Sequence, residues 1–403
     1  MTALATSPTF RLALLLVAGC HSPTSTAQPA KHLISWGSTN YGLGSLPAPT
    51  TDVAQLAAGG SHALLLTAQG TVLAWGETMS GQSEVPADLG LVRAVAAGGN
   101  HSLALLEGGA VRAWGDNTYG QCTVPADLRA TAIAGGGAFS AAIRTDGTLE
   151  VWGYTAANPP VPSEFTNLIR IAAGEMHVIA QRQDGQILVW GGHPPMPVPE
   201  AATNVTALAA GSVHNLVLRA DGVVITWGVD SHGQVQVPPD LTEVVAVAAG
   251  GYRSAVVRQD GSVAEWGDTQ WFPMPGGVTQ VSHLALGGIH TVAFGAQKPW
   301  VTVQPLSQPA FSGHPVTFEV TVSGTPPLSF QWQYEATDLP GATEAVLTLP
   351  AVELTDSGAY RLVVRNELGT ATSADAVLTV SDAPPTIPAQ SGTVTTFGAA
   401  TPC

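Results

Sequence analysis

Five histidines occupy one position of a recurring unit: His62, His101, His177, His214 and His290. Histidines spaced this regularly invite a metal-site reading. Equivalent positions of a radial repeat lie around an axis, too far apart to share one ion whose ligand distances are about 2.0–2.1 Å. Phe139 and Arg253 fill the same position in two copies. The pattern therefore suits buried imidazoles bonded to neighbouring backbone, and no metal or cofactor is expected. Asp116, Asp230 and Asp268 follow Trp-Gly pairs and are the carboxylates best placed for acid–base work. Such work needs two carboxyls held at a defined separation in a cleft. Asp beside Gly or Asn is more often a turn residue. With no Gly-x-Ser-x-Gly elbow, phosphate loop or His-Glu-x-x-His word in the chain, the expectation is that it is not an enzyme.

Aromatic residues outside the repeated words carry the stronger signal. Tyr41, Tyr119, Tyr154, Phe165, Tyr252, Trp271 and Phe272 fall in loops or vary between copies. Protein interfaces concentrate binding energy in Tyr, Trp and Arg, and sugars stack on the same rings. Trp271, Phe272, Tyr252, Tyr119 and Tyr41 are the candidate binding residues. The adjacent pair Trp271-Phe272 has a second reading, as a plug for the seam of a closed ring or a contact to the following domain.

The elements that must position these residues are set by seven Trp-Gly pairs, at Trp36, Trp75, Trp114, Trp152, Trp190, Trp227 and Trp266, separated by 39, 39, 38, 38, 37 and 39 residues. A strand-rich period near 40 predicts a propeller. Each unit opens with small apolar residues, as in Ala57-Ala58-Gly59-Gly60 and Ala96-Ala97-Gly98-Gly99, suited to inner strands that converge on an axis. A hairpin follows. Gly70, Gly109, Gly147, Gly185, Gly222 and Gly261 each stand five residues before the Trp, four of them after Asp, and predict type I′ turns that fix the register of the Trp strand. Each Trp then serves as an apolar plate between blades. Val85-Pro86, Val124-Pro125 and Val237-Pro238 predict an outermost strand blunted by proline.

Six complete hairpins can be counted, and a seventh begins at residues 284–290 without its own Trp. The unpaired Trp36 lies at the other end of the chain. The economical arrangement is a seven-bladed ring whose last blade is completed by the N-terminal strand. The words Ala96 to Leu105, Asp221 to Gly228 and Gly115 to Gln121 resemble the regulator-of-chromosome-condensation repeat family, over about residues 31–296. That resemblance implies a seven-bladed propeller with strand closure. The founder's nucleotide-exchange activity is not carried over, because the units are short and no long inserted segment is present. Gly81 to Ala87 and Gly120 to Ala126 are similar to a bacterial secreted branch that includes a β-lactamase inhibitor. Such an inhibitor wants aromatics just before the repeat His, where this chain has Ser61, Asn100, Ala138, Met176, Val213, Tyr252 and Ile289.

Residues 1–20 read as a secretion signal, with Arg11 before an apolar run and Val17-Ala18-Gly19-Cys20 resembling a lipobox that would lipidate Cys20. Cleavage nearby, as after Ala27, is the alternative. Residues 21–30 suit a flexible tether. From Pro299 the texture changes, and residues 299–381 resemble an immunoglobulin-like sandwich: Trp332 as core Trp, Tyr360 as corner Tyr, with Val320 and Leu362 where the family's cysteines would stand. Residues 382–403 read as a disordered tail or linker. Cys122 reads as a tolerated small residue.

The expected fold is therefore all-β, a closed seven-bladed propeller plus a C-terminal β-sandwich. Net charge is −15 with only Lys31 and Lys298 as lysines, which argues against nucleic acid and against anionic lipid as partners. Membrane contact would come only through a lipid anchor. The expectation is a monomeric, non-enzymatic surface or secreted protein, extracytoplasmic, whose propeller binds a protein or glycan. Alternatives are an inhibitor of a secreted hydrolase such as a β-lactamase, and an extracellular enzyme acting on polysaccharide.

Overall fold

The computed structural model describes residues 31–47, 52–155, 160–192 and 195–382. The signal with Cys20, the tether and the tail from 383 onward lie outside them.

Seven three-stranded antiparallel sheets form the propeller. In blade 1 the inner strand is Val53–Ala58, the middle His62–Thr67 and the outer Val72–Gly76. Blades 2 to 6 repeat this through Val263–Gly267. In blade 7 the inner strand Val278–Leu286 and middle strand His290–Gln297 are joined by His32–Gly37 as the outer strand, with Trp36 opposite Thr291 and His32 opposite Gly295. The ring is thus closed by the first strand of the fold, which leaves no blade without its outer strand.

The middle strands read apolar on nearly every residue because both of their faces are covered by neighbouring blades; His62–Thr67 is buried through five of its six residues. Each Trp packs on the blade before it. Trp114 joins Leu64, Leu66 and Val72 of blade 1, and Trp152 joins Leu103 and Leu105 of blade 2. At the closure Trp75 meets Val292 and Phe294, while Trp36 meets Val257 and Val263 of blade 6.

Around the axis the inner loops are stitched by backbone hydrogen bonds. Gly60 N donates to Gly99 O at 2.9 Å, Gly99 N to Gly137 O at 3.1 Å, Gly137 N to Glu175 O at 3.0 Å, and Gly288 N to Gly59 O at 2.9 Å. A Cβ at Gly99 would sit 2.5 Å from Gly137 O, so the close approach requires glycine there.

Two sequence expectations change. The Asp-Gly turns are not type I′. Arg144 pairs with Thr148 around three residues, Gly147 N donates to Arg144 O, and Gly147 has φ +83°. This is a type I turn followed by a left-handed glycine, and Asp146 Oδ1 fixes it by accepting from Thr148 N. The Val-Pro pairs do not build a fourth strand either. Val85, Val124 and Val237 lie in loops and turn half-buried into the cores between blades. Their proline follows an anchoring side chain in a loop, so it does not lie on the outer strand, which is Val72–Gly76 in blade 1.

The C-terminal domain is an immunoglobulin-like sandwich. Trp332 is fully buried with Phe318, Val320, Tyr360 and Leu362. Val320 and Leu362 pack where a disulfide would otherwise join the sheets. Tyr360 donates its hydroxyl to Asp356 O at 2.9 Å, the expected corner. The domain hangs on blade 7 through Gln297: Asn366 Nδ2 donates to Gln297 O at 2.9 Å, and Gln297 N donates to Thr325 Oγ1 at 2.6 Å. Thr325 Oγ1 also contacts His32 Nδ1 at 3.1 Å, so the closing strand and the second domain share one polar knot.

Candidate functional site

The repeated histidines are structural links between blades. His62 Nε2 reaches Ser102 Oγ, His101 Nε2 reaches Ser140 Oγ, and His177 Nε2 reaches Asn215 Oδ1, each at 2.9 Å; His214 Nε2 reaches Ser254 Oγ at 3.0 Å. Ser102 and Ser140 spend their own protons on Gln82 O and Gln121 O, so the imidazole must donate from Nε2. These carbonyls also accept from Trp114 Nε1 and Trp152 Nε1. The expected partner was backbone; the observed partner is the second side chain of the next blade's middle strand, which a single repeat cannot show. Burial pushes the pKa of His62, His101, His177 and His214 down to about 4, keeping them neutral. In the copy with Phe139 the next blade offers Val178, an apolar group for an apolar group. Among the described residues no group of three or more His, Cys, Asp or Glu is arranged to hold a metal ion.

Arg253 departs from that rule and builds the closing seam. Arg253 Nη1 contacts Glu265 Oε1 and Thr291 Oγ1, both at 2.8 Å, while Nη2 donates to Gly287 O and His290 O. Trp36 Nε1 donates to Glu265 Oε2 at 3.0 Å. The two charged side chains are only 1% and 3% exposed. Burial raises the Glu265 carboxyl and lowers the Arg253 guanidinium, each effect opposed by the partner's charge. Sequence reasoning missed this pair, treating Arg253 as a neutral replacement. The signal was present: both the His position and the residue before Trp are abnormal in the same copy, with opposite charges.

The ends of the blades make two different faces. Loops that join inner to middle strands, and those that leave each Trp-Gly pair, meet at one end; Asp116 N bonds Asn100 O, and Asp268 N bonds Tyr252 O. We name this the loop face. The six-fold repeated hairpins occupy the other end, the hairpin face.

Four candidate binding residues are exposed on the loop face: Tyr41, Tyr119, Tyr252 and Trp271, the last 72% exposed. The fold brings Tyr119 to Tyr154, ring centroids 5.0 Å apart and edge-on, and Tyr252 to His232 at 4.7 Å. Phe272 parts from Trp271. It is half-buried, lies over the Arg253 guanidinium at 5.0 Å, and lies close to Gly37 at the ring seam. Its place matches the second reading of the pair, a seam plug, with the cation beneath it and the closing strand beside it. Phe165, one of the loop aromatics, is buried between blades 3 and 4 and belongs to the core.

An axial cavity of about 750 Å³ opens on this face, walled by the glycine-rich inner loops, with Asp116, Tyr119, Tyr154 and Glu175 among its lining residues. Asp116 is also a turn residue: Oδ1 accepts from Thr118 N and Oγ1, and Oδ2 from Gln121 Nε2. The Thr118 hydroxyl leads the effects that hold its carboxyl below the usual range. Asp230 accepts from Val235 N and Gln236 Nε2 in the same manner. Cys122 is half-buried against Asp116 O, and burial raises its thiol to about 11, which keeps it protonated and unreactive.

Residues 53–82, 92–121 and 205–234 match the regulator of chromosome condensation (RCC1) repeat, and residues 298–366 match an immunoglobulin domain. The chain is an RCC1-repeat propeller followed by an immunoglobulin-like domain. Yeast RCC1 (Prp20), solved bound to Kap60, superposes with a TM-score of 0.56 at 18% identity, over 67% of this chain and 90% of that one. Human WBSCR16 gives 0.52 at 19% identity, over 66% and 99%. At these identities the likeness speaks for the fold alone. A stretch of 93 residues, 22% of this chain, is 38% identical to Endoglucanase C of Cellulomonas fimi and spans 8% of that protein's length.

Proposed function

We propose that this chain is a non-enzymatic, extracytoplasmic binding protein whose propeller presents its loop face to a ligand. The observation that carries the reading is directional. The exposed aromatics of the propeller, Tyr41, Tyr119, Tyr154, Tyr252 and Trp271, crown the loop face, whereas His32, Gln297 and the immunoglobulin-like domain, with its exposed Trp300, all lie at the hairpin end of blade 7. A chain anchored or tethered before residue 31 would hold the aromatic crown outward. Large rings on a rigid scaffold supply contact area at little entropic cost.

Acid–base catalysis on a sugar needs one carboxyl kept protonated and a second ionised across a cleft. Glu265 is the carboxyl that burial raises, and it is engaged by Arg253, Trp36 and Thr291 inside the seam. Asp116, at the cavity, is held ionised by its turn. The roles are therefore separated in space, which supports binding over turnover.

Glycan is the second ligand reading, favoured by the likeness to Endoglucanase C over its 93 residues. Protein and glycan arrays probed with the full chain test the proposal. We expect at least one ligand whose signal falls with Trp271→Ala or Tyr252→Ala. Retention of every signal by both variants would remove the loop-face assignment. A panel of β-lactamases assayed with micromolar protein tests the inhibitor reading, which a uniformly unaffected panel would eliminate.

A further inference from the structure

Charge is distributed unequally between the two ends of the ring. The propeller arginines other than Arg253 lie in the hairpin-side half of their strands or in the loops there: Arg93, Arg129 and Arg170 around inner-strand starts, Arg112 on an outer strand, and Arg144, Arg182, Arg219 and Arg258 at middle-strand ends. There they stand beside acids, as in the pairs Arg112–Asp88 and Arg144–Asp127. Lys31 and Lys298 flank strand ends at the same hairpin side. The loop face carries Glu77, Glu84, Asp116, Glu175, Asp230 and Asp268. Its one arginine, Arg253, is buried and paired. Among the described residues, then, the loop face has no exposed Lys or Arg to neutralise it.

The aromatic geometry agrees independently with that polarity. Tyr119 and Tyr154 meet at 61°, so they form a corner rather than one flat platform. A pyranose stacks on a flat ring, whereas a cation gains from facing several ring faces at once. The corner and the carboxylates of Asp116 and Glu175 line the same cavity mouth. Three of the acceptor sites on Asp116 are used by Thr118 and Gln121, which fixes the carboxylate and leaves lone-pair capacity on Oδ2.

Building on the loop-face binding reading, we propose that the partner is a cationic polypeptide. An Arg or Lys side chain of it enters the axial mouth, between the Tyr119–Tyr154 corner and the carboxylates of Asp116 and Glu175. The surrounding acids steer the basic partner and are screened by salt, while the central contacts hold it.

The test uses the full chain and fluorescein-labelled octa-arginine, read by anisotropy at 50 and 300 mM NaCl, with cellohexaose titrated calorimetrically in parallel. Asp116→Asn/Glu175→Gln should weaken peptide binding by about tenfold or more, as should Tyr119→Ala/Tyr154→Ala. The charge-matched hairpin-side pair Glu200→Gln/Asp240→Asn should change it less than about twofold. Circular dichroism melts confirm that each variant is folded; Asp116→Ser, which keeps a small polar turn former, replaces any variant that is not. Equal weakening by the hairpin-side pair would show nonspecific charge attraction and overturn the proposal. So would unchanged affinity in the tyrosine pair, or no binding at 50 mM NaCl. Cellohexaose binding that depends on Tyr119 or Trp271 without peptide binding would overturn the cationic partner while leaving the loop-face platform intact.

Discussion

The indole of Trp36 donates to the carboxylate of Glu265 at 3.0 Å across 229 positions of chain. This bond joins the outer strand of blade 7 to the outer strand of blade 6. The same carboxylate receives Arg253 at 2.8 Å, so the place where the ring closes is also where a buried ion pair sits, the one such pair among the described residues. At other seams Trp114, Trp152 and Trp266 use an indole-to-carbonyl bond, to Gln82, Gln121 and Gln234. The closing seam, whose outer strand is contributed by a distant part of the chain, substitutes a charge-assisted one.

Removing one partner of a buried pair leaves an uncompensated charge, at a cost of about 3–5 kcal/mol. Glu265→Ala should therefore lower the urea midpoint strongly. Arg253→His restores the residue type common at that position and can bond Thr291 as His62 bonds Ser102. The double variant Arg253→His/Glu265→Ala should consequently be more stable than Glu265→Ala alone. A double variant no better than the single would show that the charge pair is not the cause.

Acid should loosen the propeller before its carboxylates titrate. The four bonded repeat histidines have folded pKa values near 4 against 6.5 in an open chain, and His290 near 3. Between those values the unfolded chain binds more protons, so stability is complete above pH 6.5 and falls as pH drops toward 4. Each affected histidine contributes roughly 1.4 kcal/mol per unit of pH across that window. Urea titrations at pH 7.5, 6.0 and 5.0 should show a declining midpoint. Importing the Phe139–Val178 solution as His62→Phe/Ser102→Val should make the decline shallower.

Trp271 and Phe272 should separate experimentally despite being adjacent. Trp271→Ala removes an exposed ring and should shift stability by less than about 0.5 kcal/mol. Phe272→Ala removes the ring over Arg253 and should cost about 1–2 kcal/mol. Thermal melts of the two variants decide the point; matching losses would mean that both rings are structural.

Trp36→Ala should both destabilise the ring, by about 3–5 kcal/mol, and promote association. Without its closing contact the outer strand of blade 7 frays, and the middle strand His290–Gln297 becomes an open edge that other chains can pair with. Light scattering on incubation should rise for this variant and stay flat for Trp271→Ala.

His290 shows how far repetition constrains, and where it stops. It follows the repeat word, yet the next blade in the ring offers Ala63 where the other four histidines meet Ser or Asn, and neither ring nitrogen has a partner. The sequence marks the histidine, but only ring closure shows which residue must answer it. The Phe139–Val178 match was equally hidden, because the two positions are unremarked until blade 4 is laid against blade 3.

The period of the Trp-Gly pairs, the glycine before six of the seven tryptophans and the unpaired Trp36 were sufficient to determine a closed ring of seven blades. Those features are local and repeated, and backbone sterics with apolar burial act on each copy alike. The core residues Trp332 and Tyr360 of the second domain were legible from its resemblance to an immunoglobulin-like sandwich. What tertiary structure decided was everything that depends on one copy meeting another: the side-chain links from His62, His101, His177 and His214, the ion pair at the seam, and the inward turn of Phe272. It also decided the sorting of charge between two faces, because strand direction converts a scattered set of arginines into one end of a toroid and leaves the tyrosines, Trp271 and unneutralised carboxylates at the other.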